Sequence, residues 1–416
     1  MRGFLLQMAA LLVLACMSVS GSVSADDQER ALAPASLVAL AGNGSIMLRS
    51  PDGEDLVRIS PDRPLLPASL VKIPMAHVAL TTLGEDFRFQ TRFYQNDAGD
   101  LLIRGYGDPF LVSEEVAEIA SRLAVLGLQS IRRLVLDDSA FAPDFSVPGQ
   151  RATLQPYGAI NGALVVNFNT VNLAWTRNGE LISGEPQTPL TPLARQLAAG
   201  LSPGQSRRIN LGDDPLNGLQ QVQQLFQLML ATEGISVADT SFHRESVTSD
   251  WSLLYSHESS RSLHDNLEGL LHYSNNFIAN QLFLTLGAQV HGYPASMAAS
   301  RDVLVSRLQA LYGEAFGEQA DTLLMTEGSG LDRAQRSTGR GMMQILEAFL
   351  PYADLLAEVD GIYRKSGTLT GVYNFAGYIP GPEGLYPFVI ITNQSSNQRA
   401  AILDALQARL YSAAVS

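Results

Sequence analysis

Apolar positions recur along this chain in three successive patterns. Near the start, Ser45-Ile46-Met47-Leu48 and Leu56-Val57-Arg58-Ile59 are short strand-like runs separated by Pro51-Asp52-Gly53, which predicts a hairpin within residues 36–66. Pro67-Ala68-Ser69 then opens an apolar stretch that predicts a helix to about Leu83. Pro74 lies in its early turns, and its missing N–H removes the bond to the Leu70 carbonyl, so a kink is expected there. Residues 91–245 have a different texture. Strand-like pieces at 101–103, 134–136, 164–168 and 171–175 alternate with loops and a helix near 113–126, and a Leu-rich helix over 219–231 ends at Gly234. This segment reads as an inserted α+β region. The last third predicts helices over 263–286 and 299–312, strands over 367–379 and 386–393, and a closing helix over 399–411. Ile402, Leu406 and Leu410 share one face of that helix and predict core packing.

The chemistry-bearing letters enter through the lysines. The chain has 28 Lys and Arg residues together, and only Lys72 and Lys365 are lysine. Lys72 closes Ser69-Leu70-Val71-Lys72, and Lys365 opens Lys365-Ser366-Gly367-Thr368. Residues three apart on a helix share a face, so Ser69 and Lys72 can touch. A serine is a weak nucleophile until an adjacent base takes its proton. Lysine can act as that base when burial or a neighbouring cation lowers its pKa, whereas arginine keeps its proton. Lys365 is the only other lysine able to supply the cation.

Gly367, early in a strand-like run, leaves the strand edge open to the backbone of a peptide. The N–H groups of Ser69 and Thr368 are candidates for an oxyanion hole. The Ser366 and Thr368 hydroxyls are candidates for holding a carboxylate. Between the two lysine motifs, His272-Tyr273-Ser274-Asn275-Asn276 offers either a Ser274/Asn276 or a Tyr273/Asn275 pair, and the letters alone leave the register open. Each motif alone also reads as an ordinary helix end or glycine turn.

Bulk composition narrows the class. Hydrophobic residues make up 46% and charged residues 17% of 416 residues, which describes a packed globular protein. A net charge of −13 argues against a nucleic-acid or anionic-lipid surface. Six scattered histidines with no His-Glu-x-x-His pattern, and no G-x-S-x-G elbow, leave no expected metal or cofactor. Residues 1–25 read as an export signal: Arg2, an apolar run over 4–18, then the small residues Val23-Ser24-Ala25. That run is shorter than the roughly 20 residues of a membrane span, and no later stretch qualifies, so no transmembrane anchor is expected in the mature chain. Cys16 is the only cysteine, which excludes an intramolecular disulfide. Its context, Val13-Leu14-Ala15-Cys16, keeps a lipid anchor as an alternative. Either way the expected location is a bacterial periplasm.

The three motifs in this order form the S-x-x-K, S-x-N, K-[ST]-G set of β-lactamases and penicillin-binding proteins. Ser274 follows Ser69 by 205 residues and precedes Lys365 by 91. A compact β-lactamase has no room for the first interval. The chain resembles the class C low-molecular-mass penicillin-binding proteins, the D-alanyl-D-alanine carboxypeptidase/endopeptidase family, over roughly residues 36–413. Pro67-Ala68-Ser69, residues 105–109, Leu136-Asp137-Asp138-Ser139 and residues 365–371 carry the likeness. Glu327-Gly328-Ser329-Gly330-Leu331-Asp332-Arg333 resembles a family loop written Asp-Gly-Ser-Gly-Leu-Ser-Arg. Asn275 stands where Asp is usual, and Ser366 where Thr is usual. The family pattern favours the Ser274/Asn276 register.

The resemblance implies an α/β (α+β) fold. A transpeptidase-like core with an antiparallel sheet flanked by helices would form from residues 36–90 and 246–416, with 91–245 as the inserted domain or domains. It implies a serine-type D-Ala-D-Ala carboxypeptidase or DD-endopeptidase acting on peptidoglycan stem peptides and acylated by β-lactam antibiotics. Lys72 would activate Ser69, Ser274 and Lys365 would deliver a proton to the leaving amine, and Asn276 would hold Lys72 and the substrate amide. Arg333 is expected to grip a substrate carboxylate, and Asp138 to meet the amine of a diamino acid. A β-lactamase-type hydrolase is the first alternative, but no Glu-x-x-Leu-Asn segment follows Asn276. The second is a non-catalytic binder, which the five reactive side chains disfavour.

Overall fold

The computed structural model describes residues 32–143, 145–201, 206–317 and 321–413; the expected export signal and Cys16 lie outside them. In chain order, α1 (Ala35–Ala41) precedes the hairpin β1 (Gly44–Arg49) and β2 (Asp55–Ile59). A 3₁₀ turn at Ala68–Val71 runs into α2 (Lys72–Leu83). Then come β3 (Arg88–Gln95), β4 (Leu101–Gly105), α3 (Ser113–Val125), β5 (Ser130–Asp137), β6 (Thr170–Trp175), β7 (Leu181–Ser183), α4 (Pro192–Ala198), β8 (Arg207–Asn210), α5 (Pro215–Thr232), β9 (Ser236–Arg244) and β10 (Ser252–Ser262). The last third holds α6 (Leu263–His272), α7 (Asn276–His291), α8 (Met297–Tyr312), β11 (Leu323–Leu324), β12 (Arg336–Ser337), α9 (Gly339–Phe349), β13 (Glu358–Val359), β14 (Ile362–Leu369), β15 (Val372–Gly381), β16 (Gly384–Thr392) and α10 (Arg399–Ala413).

The main sheet is antiparallel, in the order β13-β14-β15-β16-β1-β2, so the two ends of the chain meet in it. Side chains alternate between its faces. Phe388 and Ile390 of β16 pack with Leu37 of α1 and with Ile402, Leu406 and Leu410 of α10. Val389 and Ile391 face the opposite way, into the core of α2 and α6–α9. This is the α+β architecture expected, a sheet sandwiched between helices. A second sheet, β10-β3-β4-β5-β9, packs Phe93, Ile103 and Leu136 on α3 and α5. It reaches from Arg88 to Ser262, beyond residues 91–245 at both ends, because the strands that enter and leave it pair with each other. Among the described residues no helix is long and apolar enough to cross a membrane.

Four local expectations need correction, each for a physical reason. Pro74 does not kink a running helix. The α-helix begins only at Lys72, so Pro74 sits in its first turn, where backbone N–H groups have no helical partner to lose. Residues 164–168 do not form a strand. Asn167, Phe168 and Asn169 have φ of 50°, 58° and 56°, while the Asn167 side chain accepts the Ser113 N–H and the Asn169 side chain donates to the Ile160 carbonyl. The helix expected over 263–286 breaks into α6 and α7: Ser274 has φ 54°, and the Asn275 side chain accepts the Ile278 N–H at 3.1 Å as N-cap. The strand expected over 367–379 is the β14–β15 hairpin, turned at Thr370-Gly371.

Candidate active site

Ser69 lies on the 3₁₀ turn, not on the α-helix. In a 3₁₀ helix residues three apart eclipse one another, which brings Lys72 under Ser69. Lys72 is fully buried, and its Nζ lies 2.9 Å from Ser69 Oγ, 2.8 Å from Asn276 Oδ1 and 2.5 Å from the Ser329 carbonyl. Burial holds its pKa well below the usual lysine range, and the Lys365 ammonium pushes it down further; Glu327 pulls the other way. A lysine with three acceptors around it and a depressed pKa can exchange a proton with the Ser69 hydroxyl.

The Ser329 carbonyl is held by an arrangement centred on Glu327. That carboxylate is buried. It accepts the N–H groups of Ser329, Gly330 and Leu331 at 2.6, 2.7 and 2.9 Å, the Ser329 hydroxyl at 2.6 Å and the Gln335 amide. Gly328 and Gly330 let this loop wedge in. A Cβ on Gly328 would stand 2.6 Å from the Ala279 carbonyl, and one on Gly330 would overlap the Ala68 carbonyl. Gly330 also has φ 89°, and Ala68 itself is held at φ 48°, a region costly for a residue with a Cβ. In the letters Glu327 stands out only as part of a family-like loop. The available signal was an acid directly before Gly-Ser-Gly.

The α6–α7 break brings Asn276 against Lys72 and turns Tyr273 outward. Asn276 opens α7 and bonds Lys72, Asn275 is spent as the N-cap, and Tyr273 is 84% exposed. Asn and Asp cap a helix about equally well, which accounts for Asn275 standing in for Asp. Ser274 and Asn276 border a groove of about 880 Å³ that also has Tyr157, Phe168 and Tyr273 in its walls.

Lys365 is also buried, its pKa pushed down to about 7 by that burial, and its Nζ donates to the Ser366 carbonyl at 3.0 Å. β13 pairs with β14 only at Ile362 and Tyr363, so among the described residues the outer edge of β14 has no strand partner beside the Lys365 motif. Gly367 sits against the Ser69 turn. A Cβ there would lie 2.6 Å from the Pro67 carbonyl, so the glycine admits that turn against the strand. Asn374, opposite Gly367, donates to the Leu66 and Pro67 carbonyls and fixes the same turn. The Thr368 hydroxyl accepts from Arg399 Nη1 at 2.7 Å. Arg399 stacks over Phe375 at 4.5 Å and forms no ion pair among the described residues. No motif in the letters points to Arg399.

The two recognition candidates separate. Arg333 is exposed and donates to the Thr370 carbonyl at 2.7 Å, beside the β14–β15 turn, with no acidic partner among the described residues. Asp138 is not in this cluster. Arg244 engages both its oxygens at 2.8 and 3.1 Å, and it lines a separate cavity with Pro143 and Pro294. Among the described residues no three His, Cys, Asp or Glu side chains are placed to hold a metal ion.

A serine-bearing turn packed on an antiparallel sheet with helices on both faces has the penicillin-binding fold, here with a large second sheet inserted. The chain belongs to the D-Ala-D-Ala carboxypeptidase 3 (S13) family, whose model matches residues 38–199 and 194–357. It is therefore a peptidase, a hydrolase of the serine-type D-Ala-D-Ala carboxypeptidase kind. It is 28% identical to a D-alanyl-D-alanine carboxypeptidase of an Actinomadura species, over 89% of this chain and 81% of that one. It is 24% identical to the D-alanyl-D-alanine carboxypeptidase DacB of Haemophilus influenzae, over 77% and 78%. The crystal structure of penicillin binding protein 4 (dacB) from Haemophilus influenzae superposes with a TM-score of 0.69 at 20% identity, covering 91% of this chain and 98% of that one. A predatory endopeptidase from Bdellovibrio bacteriovorus, in complex with an immunity protein, superposes at 0.52 and 14% identity, over 88% and 91%.

Proposed function

We propose that Ser69 is the nucleophile of a D-Ala-D-Ala carboxypeptidase or endopeptidase that cuts peptidoglycan stem peptides after export to the periplasm. The 2.9 Å contact between Ser69 Oγ and the buried, pKa-depressed Lys72 carries this reading. A stem peptide adds to the open edge of β14 as an extended strand. Neutral Lys72 takes the Ser69 proton as Oγ attacks the carbonyl of the penultimate D-Ala. The N–H groups of Ser69 and Thr368 receive the developing oxyanion. Ser274, helped by Lys365, passes a proton to the departing amine. Asn276 fixes Lys72 and the substrate amide, and water then releases the acyl group. β-Lactams enter the same route and stop at the acyl-enzyme. A labelled penicillin, followed by peptide mapping, should leave its label on Ser69; label on another serine would overturn the assignment.

The terminal carboxylate of the substrate lies, on this reading, against Thr368, with Arg399 as its cation. Arg399→Ala should raise KM for a peptide ending in D-Ala about tenfold, the scale of one charge-assisted hydrogen bond, and leave kcat nearly unchanged. The same peptide with an amidated C-terminus should show no such difference. Arg333, farther out, should matter for the body of the peptide. Arg333→Ala should lower kcat/KM for a peptidoglycan-derived peptide much more than it slows penicillin acylation. Equal loss on both substrates would mark structural damage instead.

A further inference from the structure

A cationic cavity lies away from Ser69. Arg88, Gln90 and Arg92 occupy alternate positions of β3 and so share one face of the sheet. Arg104 of β4 stands directly across from Arg92 in the strand register. Like charges directly opposed across a strand pair are destabilising. These residues line a cavity of about 420 Å³, completed by Tyr106, by Thr285 and Gln289 of α7, and by Tyr293 just beyond its C-terminal end. Gln289 is about 20 Å along α7 from Asn276, at 1.5 Å per residue, so the cavity is separate from the catalytic cluster.

What surrounds the three guanidinium groups compensates their charge only in part. Arg88 donates to the Ser259 and Ser260 carbonyls, and Arg92 to the Gln90 side chain, so among the described residues neither has an acidic partner. Arg104 has Asp137 at 3.6 Å, but its Nε is buried without a hydrogen-bond partner. Glu258 is turned to Gln90, at 3.5 Å. The Arg92 and Arg104 guanidinium carbons lie 5.1 and 5.2 Å from the centre of the Tyr106 ring, and Tyr293 stands edge-on to that ring at 5.1 Å. The Tyr106 ring gives both guanidinium groups an aromatic face to stack on. It does not supply the negative charge that two facing arginines call for in a chain of net charge −13.

We propose that this cavity binds a small oxyanion, a carboxylate or phosphate group, bridged between Arg92 and Arg104. Guanidinium groups present forked donors that match both anions. The aromatic wall of Tyr106 and Tyr293 gives the body carrying the anion a surface to lie on. A carboxylate could come from a stem peptide, and a phosphate from a wall polymer or lipid headgroup.

The test is thermal unfolding and calorimetric titration of the full chain with inorganic phosphate and, separately, with glutarate, at low chloride. At least one anion should bind saturably and raise Tm by about 2 °C or more at millimolar concentration. A response to phosphate alone assigns a phosphorylated ligand, and one to glutarate a carboxylate. Arg92→Gln and Arg104→Gln should each weaken binding at least about tenfold, the cost of one charge-assisted contact. Without anion, Arg92→Gln should unfold no lower than the wild type, because the substitution removes a repulsion and breaks no ion pair. Should Arg104→Gln fail to fold once Asp137 loses its neighbour, Arg92→Gln alone decides. Binding should persist in Arg399→Ala protein. Loss of binding there would place the anion in the catalytic site and overturn the proposal. So would undiminished binding in Arg92→Gln, or no binding of either anion.

Discussion

Ser69→Ala protein should take up no penicillin, and Lys72→Arg protein should be acylated about a thousandfold more slowly than wild type or worse, the usual scale of a lost general base. The two substitutions fail for different reasons. Alanine removes the attacking oxygen. Arginine keeps the positive charge and much of the length of Lys72, so a purely electrostatic role would survive it. What arginine cannot do is give up a proton near neutral pH. It also brings a planar fork into a fully buried slot where three single acceptors, Ser69 Oγ, Asn276 Oδ1 and the Ser329 carbonyl, surround one nitrogen. Stopped-flow acylation with a chromogenic β-lactam, alongside circular dichroism to verify the fold, measures both. Acylation of Lys72→Arg within about tenfold of wild type, roughly 1.4 kcal/mol of barrier, would remove Lys72 from the role of base.

The sequence carried the three motifs well because each is local. Ser69 and Lys72 are three residues apart, Ser274 and Asn276 two, and Lys365 to Thr368 contiguous, so their letters survive without knowledge of the fold. The closing helix was equally legible, since Ile402, Leu406 and Leu410 repeat at its period and pack on the sheet. What escaped depends on contacts between distant segments. Arg399 meets Thr368 only because α10 returns to the sheet beside β14. Asp138 looked available for a substrate amine until β9 brought Arg244 to it. That the Pro67 turn packs on Gly367 is likewise a contact between segments 300 residues apart, which the letters do not carry. The break at Ser274 was hidden by the unbroken helical composition around it. A left-handed residue followed by an Asn cap is a backbone event with a weak signature in the letters.

Two charges of opposite sign act on Lys72, and they should move its titration in opposite directions. Lys72 works as a base only when neutral, so acylation falls as pH drops through its pKa in the folded protein. Glu327 favours the protonated lysine and holds that pKa up; the Lys365 ammonium disfavours it and holds it down. Glu327→Gln should therefore shift the acid limb of the acylation profile to lower pH, and Lys365→Gln should shift it to higher pH. Glu327→Gln should also lower the plateau rate, by about a hundredfold, through the loop. Its carboxylate gathers the Ser329, Gly330 and Leu331 N–H groups, and an amide turns a donor toward them. Each buried group left unpaired costs about 1–3 kcal/mol, so Tm should fall as well and the Ser329 carbonyl should lose its fixed aim at Lys72. Glu327→Asp keeps the charge and should recover the position of the acid limb even where the shorter side chain leaves the plateau low. Simple unfolding would lower the plateau in both variants without moving either limb. Limbs that stay in place in Glu327→Gln and Lys365→Gln would show that neither charge tunes the base.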